Sequence, residues 1–159
     1  MARQDKAFQN MVKEFEQSIY SICHMYARDE GEAKDLLQET LVNLWKGFSK
    51  FRGESSARTW VTRVAINTCI SATRKRKVET VDESHIPPFR EVTSESSAQI
   101  QDLHSRLLRL SYLERAIVLL WLEDMPYDEI GAIIGLSAKN VGVKLVRIKN
   151  KLKEMSHGR

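Results

Sequence analysis

Cysteine is scarce: among 159 residues only Cys23 and Cys69 carry a thiol, and no CxxC spacing occurs. A disulfide framework or a thiolate zinc site therefore has no basis, and both thiols are expected to be buried in a reducing compartment. His24 adjoins Cys23. Successive residues of a helix point about 100° apart, so this pair does not converge readily on one ion. No metal site and no cofactor are expected. Long hydrophobic runs are also missing, and nothing approaches the roughly 18 apolar residues of a membrane span. The opening MARQDKAFQN has no apolar core of signal-peptide length. These absences point to a cytoplasmic protein without direct membrane insertion.

What is present is enough apolar residue, 42%, for one ordinary domain or two small ones to bury a core. The formal net charge of +4 says little by itself, but its distribution is uneven. Between Lys46 and Lys77 stand nine basic residues and one acid, and between Lys139 and Lys153 six basic residues and no acid. Between these stretches, residues Val78 to Ala98 hold five acids and only Arg90 as a base. Two basic surfaces thus flank an acidic tether.

Periodicity predicts an all-α chain of two small helical domains. Phe8, Met11, Val12, Phe15, Ile19, Ile22, Cys23 and Tyr26 form one helical stripe. After a break at Arg28 to Gly31, a second stripe runs through Ala33, Leu36, Leu37, Leu41, Leu44, Trp45 and Phe48, leaving Val42 exposed. FRGESS precedes a third helix over about Ser56 to Lys77. Residues 1–77 form the first domain. Residues 78–98 lose the period, carry Pro87-Pro88 and read as a flexible acidic linker. Residues 99–159 form the second domain, where apolar spacing returns from Ile100 to Leu110. Ser111 and Glu114 make a capping box for the next helix, which ends near Glu123. Pro126 suits a helix first turn, Gly135 a left-handed helix end, and Ser137 the cap of a last helix to about Glu154.

Pro126 to Leu152 therefore has the layout of a helix-turn-helix, whose second helix can enter a major groove. Val141, Leu145, Ile148 and Leu152 lie within about 60° of one another and must pack inward. The opposite arc carries Lys139, Asn140, Val143, Arg147 and Asn150, with Lys144 and Lys151 on its flank. Amide and basic side chains hydrogen-bond purine edges or phosphates, and Val143 suits a thymine methyl. A second basic surface follows the FRGESS loop. Ser55, Ser56, Arg58 and Thr59 can line a site for a base taken out of the stack, with Arg52 and Arg63 on phosphates. Trp60 is a stacking platform in principle, but its spacing with Val64 and Ala65 favours core packing.

EAKDLLQETLVNLW, FRGESSARTWVTRVAIN and LSYLERAIVLLWLEDMPYDEIGAIIGLS, in that order, resemble regions 2 and 4 of the extracytoplasmic-function class of bacterial sigma factors. The resemblance spans nearly the whole chain outside the linker and the ends. It implies an alternative sigma factor: a dissociable, non-enzymatic specificity subunit of RNA polymerase. By motif position, Asp35, Gln38, Glu39 and Asn43 would dock on the clamp helices of core polymerase. Arg52, Ser55, Ser56, Arg58, Arg63 and Asn67 would recognise and melt the promoter element near the start site. Lys139, Asn140, Val143, Lys144 and Arg147 would read the upstream element as duplex. The resemblance also implies control by an anti-sigma factor, often membrane-anchored. Where many members carry a basic residue and Ser in the last helix, this chain has Gly142 and Val143. Glycine costs roughly 1 kcal/mol inside a helix relative to Ala, and close approach to DNA is one reason for it. A stand-alone helix-turn-helix regulator with a ligand-sensing or dimerising N-terminal half remains the alternative. It would footprint alone on a palindrome, whereas a sigma factor binds tightly only with core enzyme.

Overall fold

In a computed structural model, residues 2–51, 53, 56–79 and 95–157 are described. They form seven helices: α1 (Ala2–Tyr26), α2 (Glu30–Phe48), α3 (Ala57–Glu79), α4 (Glu95–Leu107), α5 (Tyr112–Leu122), α6 (Tyr127–Ile134) and α7 (Ala138–His157). The chain divides into two compact units, residues 1–89 and 90–159. No strand occurs among the described residues, as the periodicities require. Helices α3 and α4 extend a little into the segment read as linker, to Glu79 and from Glu95. Residues 80–94, most of that segment, lie outside the described residues.

In the first unit α1, α2 and α3 pack against one another in all three pairings. Ile19, Ile22, Cys23 and Tyr26 of α1 meet Leu36 and Leu44 of α2 and Val61, Ala65, Ile66 and Cys69 of α3 in the core. The break between α1 and α2 is a cap. Asp29 accepts the Glu32 amide at 2.8 Å, satisfying an orphan donor of the first turn. Glu32 reaches back to accept the Arg28 amide at 2.9 Å, so α2 starts before Gly31 and not after it. Trp45, assigned by its spacing to the apolar stripe, is 44% exposed. It packs against Phe8 of α1, with 5.1 Å between ring centroids in a T-shaped pair.

Helix α3 buries Thr62, Thr68 and Thr73, which a polar residue tolerates only with a partner. Each hydroxyl donates to the carbonyl four residues back: Thr62 to Arg58, Thr68 to Val64 and Thr73 to Cys69. Thr40 of α2 does the same to Leu36 and lies 3.7 Å from the Cys23 sulfur. Both thiols are free and buried, as expected. They also hydrogen-bond to each other, which lowers the Cys23 thiol against the raising effect of burial.

In the second unit α5, α6 and α7 pack together. The capping box forms: Glu114 N–H donates to Ser111 Oγ at 3.2 Å, and Ser111 N–H to Glu114 Oε1 at 3.0 Å. Arg115, one residue on, is buried. Its guanidinium donates to the carbonyls of Leu107, Leu108 and Leu110 at 2.8, 3.3 and 3.1 Å, closing the end of α4. Gly135 ends α6 in the left-handed region, at φ 83°. Gly131 matters through space: a Cβ there would run into the Leu136 carbonyl. Glycine thus lets the turn fold onto α6, and Leu136 N–H reaches the Gly131 carbonyl at 2.9 Å. Ser137 Oγ then accepts the Asn140 amide at 3.1 Å and starts α7.

Candidate nucleic-acid interface

Helix α7 has the two faces its wheel requires. Val141, Leu145 and Ile148 are buried, while Lys139, Asn140, Val143, Lys144, Arg147 and Asn150 are exposed. Two further cations of α7 are engaged by α5. Lys149 lies 4.1 Å above the Trp121 ring of α5, and Lys151 Nζ lies 2.8 Å from Glu114 Oε2. Lys151, expected on the flank of the reading arc, is therefore tied to the α5 cap. Lys139, Lys144 and Arg147 have no carboxylate partner among the described residues. Their charge is available to an anionic ligand.

Gly142 is met across the turn by a side chain of the same unit. A Cβ there would stand 3.3 and 3.5 Å from two ring carbons of Tyr127, the first residue of α6. Tyr127 was no candidate from the sequence. Its first-turn position beside Pro126 was visible, but its meeting with Gly142 across the turn was not.

At the start of α3, Ser56 is exposed, yet its hydroxyl accepts the Thr59 amide at 3.1 Å and donates to Thr59 Oγ1 at 2.9 Å. Ser56 is thus the cap of α3, and Thr59, expected beside it in a base site, is buried. Arg58 and Asn67 are exposed and Arg63 half-buried. Arg63 and Asn67, four residues apart, share one line along α3, and Arg58 lies off that line. Trp60 stacks on Phe51 at 4.8 Å and faces Gly47, and it is half-buried rather than a full member of the core. Arg52 and Ser55 lie outside the described residues.

On α2, Asp35, Gln38 and Glu39 are exposed and share a stripe with the apolar Val42 and Trp45. Asn43 departs from this group. It is half-buried and donates its amide to Thr68 Oγ1 of α3 at 2.9 Å.

Comparison with known proteins connects the two units. The family described as Sigma-70 region 2 matches residues 11–79, and that described as Sigma-70, region 4 matches residues 100–152. The chain belongs to the extracytoplasmic-function sigma factors. Among its relatives, the RNA polymerase sigma factor YlaC of Bacillus subtilis is 27% identical, covering 93% of this chain and 91% of that protein. Sigma factor SigV of the same organism is 25% identical, over 86% and 82%. The fold is that of the sigma factor RpoE from Bartonella quintana, crystallised with the anti-sigma factor NepR. The two share a TM-score of 0.75 and 23% identity over 96% of this chain and 98% of that one. This sigma factor is accordingly a specificity subunit for transcription initiation. The reading as a stand-alone regulator falls, because residues 11–79 are a region 2. Among the described residues, no helix of the sigma factor is long and apolar enough to cross a membrane.

Proposed function

We propose that the first unit docks on core RNA polymerase and opens the promoter, while the second anchors the upstream element as duplex. The observation that carries this reading is the division of cations on α7. Lys149 and Lys151 are held by α5, while Lys139, Lys144 and Arg147 stand exposed on one arc beside Asn140 and Val143. Asp35, Gln38 and Glu39 of α2 form the docking face on the clamp helices, and Asn43 braces it from behind through Thr68. Arg58, Arg63 and Asn67 of α3, with Arg52 and Ser55 of the preceding loop, contact the element near the start site, where Ser56 fixes the helix start. Capture of an extruded base and of the single strand supplies the energy of melting, with no nucleotide hydrolysed and no catalysis by the chain itself. The protein works in the cytoplasm. A relative of the same fold was crystallised with an anti-sigma factor, and a partner of that kind would occlude both units here.

The test is initiation with the purified full chain, core RNA polymerase and fragments of the source genome. Discrete start sites that depend on the chain are expected. If core enzyme initiates identically with and without it, the reading fails.

A further inference from the structure

Gly142 marks a half-buried place on the flank of α7 where a neighbouring helix supplies the side chain. The Tyr127 ring lies against the Gly142 backbone, close enough that a Cβ would press on it at 3.3 Å. Tyr127 nevertheless remains 40% exposed, so it is no core residue. Val146 follows Gly142 by one turn and is 59% exposed, and Val143 beside it is 44% exposed. Tyr127 beside Gly142 thus adds to the exposed apolar Val143 and Val146 of α7, the helix that also carries the exposed Lys139, Lys144 and Arg147. Exposed apolar groups beside uncompensated cations suit a ligand that has both phosphates and methyl groups. Duplex DNA is such a ligand, because thymine carries its methyl into the major groove.

We infer that Tyr127 is a specificity-determining residue of the duplex-reading surface: its ring takes the place of a side chain at position 142 and, with Val143 and Val146, reads thymine methyls. The inference rests on the duplex-reading role proposed for α7. It places part of the sequence preference on α6, outside the helix expected to carry all of it.

The full chain, assembled with core RNA polymerase, is presented with duplexes randomised over the upstream window, and the bound fraction is sequenced. The wild-type chain is expected to enrich thymine at positions where Y127A does not. G142A, whose Cβ presses the ring away by a few tenths of an ångström while favouring the helix, weakens the enrichment at the same positions without loss of fold. K144A weakens binding to all sequences and leaves the preference intact. In the best selected duplex, deoxyuridine in place of thymidine at those positions removes only the methyl. It costs the wild type about fourfold per methyl and costs Y127A nothing further. Enrichment that Y127A leaves unchanged overturns the role of Tyr127, as does an equal uracil penalty in both proteins. A wild-type holoenzyme that enriches no sequence overturns the duplex-reading role of α7 itself.

Discussion

Lys151 Nζ lies 2.8 Å from Glu114 Oε2, which joins the cap of α5 to α7 across 37 residues of sequence. One carboxylate therefore serves two tasks: Oε1 accepts the Ser111 amide and Oε2 holds α7 through Lys151. Burial pushes the Glu114 carboxyl up, but the hydrogen bonds from Lys151 and Ser111 outweigh it and leave the group below the usual carboxylate range.

A group lowered in this way stabilises the folded state in full at neutral pH. It loses that contribution as the pH falls through its folded value. Denaturant unfolding of E114Q should thus give a less stable protein at neutral pH, with the difference from wild type closing on acidification. S111A, which removes the other half of the box, should cost about 1 kcal/mol. An E114Q deficit that persists unchanged into acid would refute the assignment.

Arg115 should be among the most sensitive positions of the second unit. R115A leaves the carbonyls of Leu107, Leu108 and Leu110 without their donor, at about 1–3 kcal/mol for each group that water cannot reach. Thermal unfolding should show a loss well above that of S111A. R115K, with one ammonium for three acceptors, should recover only part of it.

The α7 cations should separate into two classes in a salt titration of holoenzyme on promoter duplex. Each phosphate contact removed by K144A or R147A should lower the slope of log affinity against log salt by about 0.9. K149A and K151A should leave that slope unchanged. They should instead cost roughly 0.5–1 kcal/mol each in unfolding free energy, the worth of an exposed cation–π contact or ion pair. Equal slopes in all four variants would contradict the division.

Asn43 and its neighbours on α2 should part in the same manner. N43A should cost about 1 kcal/mol, because Thr68 keeps its bond to Val64 when the amide is lost. D35K and E39K should alter stability by less than about 0.5 kcal/mol and weaken the association with core polymerase, measured by co-elution or fluorescence.

Local chemistry was the legible part of this molecule. The capping box at Ser111 and Glu114, the left-handed Gly135 and the Ser137 cap each depend on residues within one turn, so their positions followed from spacing. Contacts between helices were not legible. Trp45 has the period of a core residue, yet it sits at the edge where α1 and α2 meet and keeps 44% of its surface in water. Nothing around Arg115 signals that a guanidinium is buried against the end of the preceding helix. The exposed arc of α7 followed from the wheel, but charge alone could not tell Lys144 from Lys151, since Glu114 lies in another helix. Asn43 was grouped with Asp35, Gln38 and Glu39 by its polarity, although seven residues after buried Leu36 it turns toward α3, where Thr68 takes its amide.

The Leu136 carbonyl lies so close to Gly131 that the bend between α6 and α7 depends on the absence of a side chain there. Side chains on the outer arc of α7 take no part in holding that bend. Such a construction uncouples what the helix reads from how it is held. Substitutions at Asn140, Val143 or Arg147 are therefore expected to leave folding intact and to bear only on the promoter preference proposed for α7, whereas replacement of Gly131 would disrupt the unit in every variant alike.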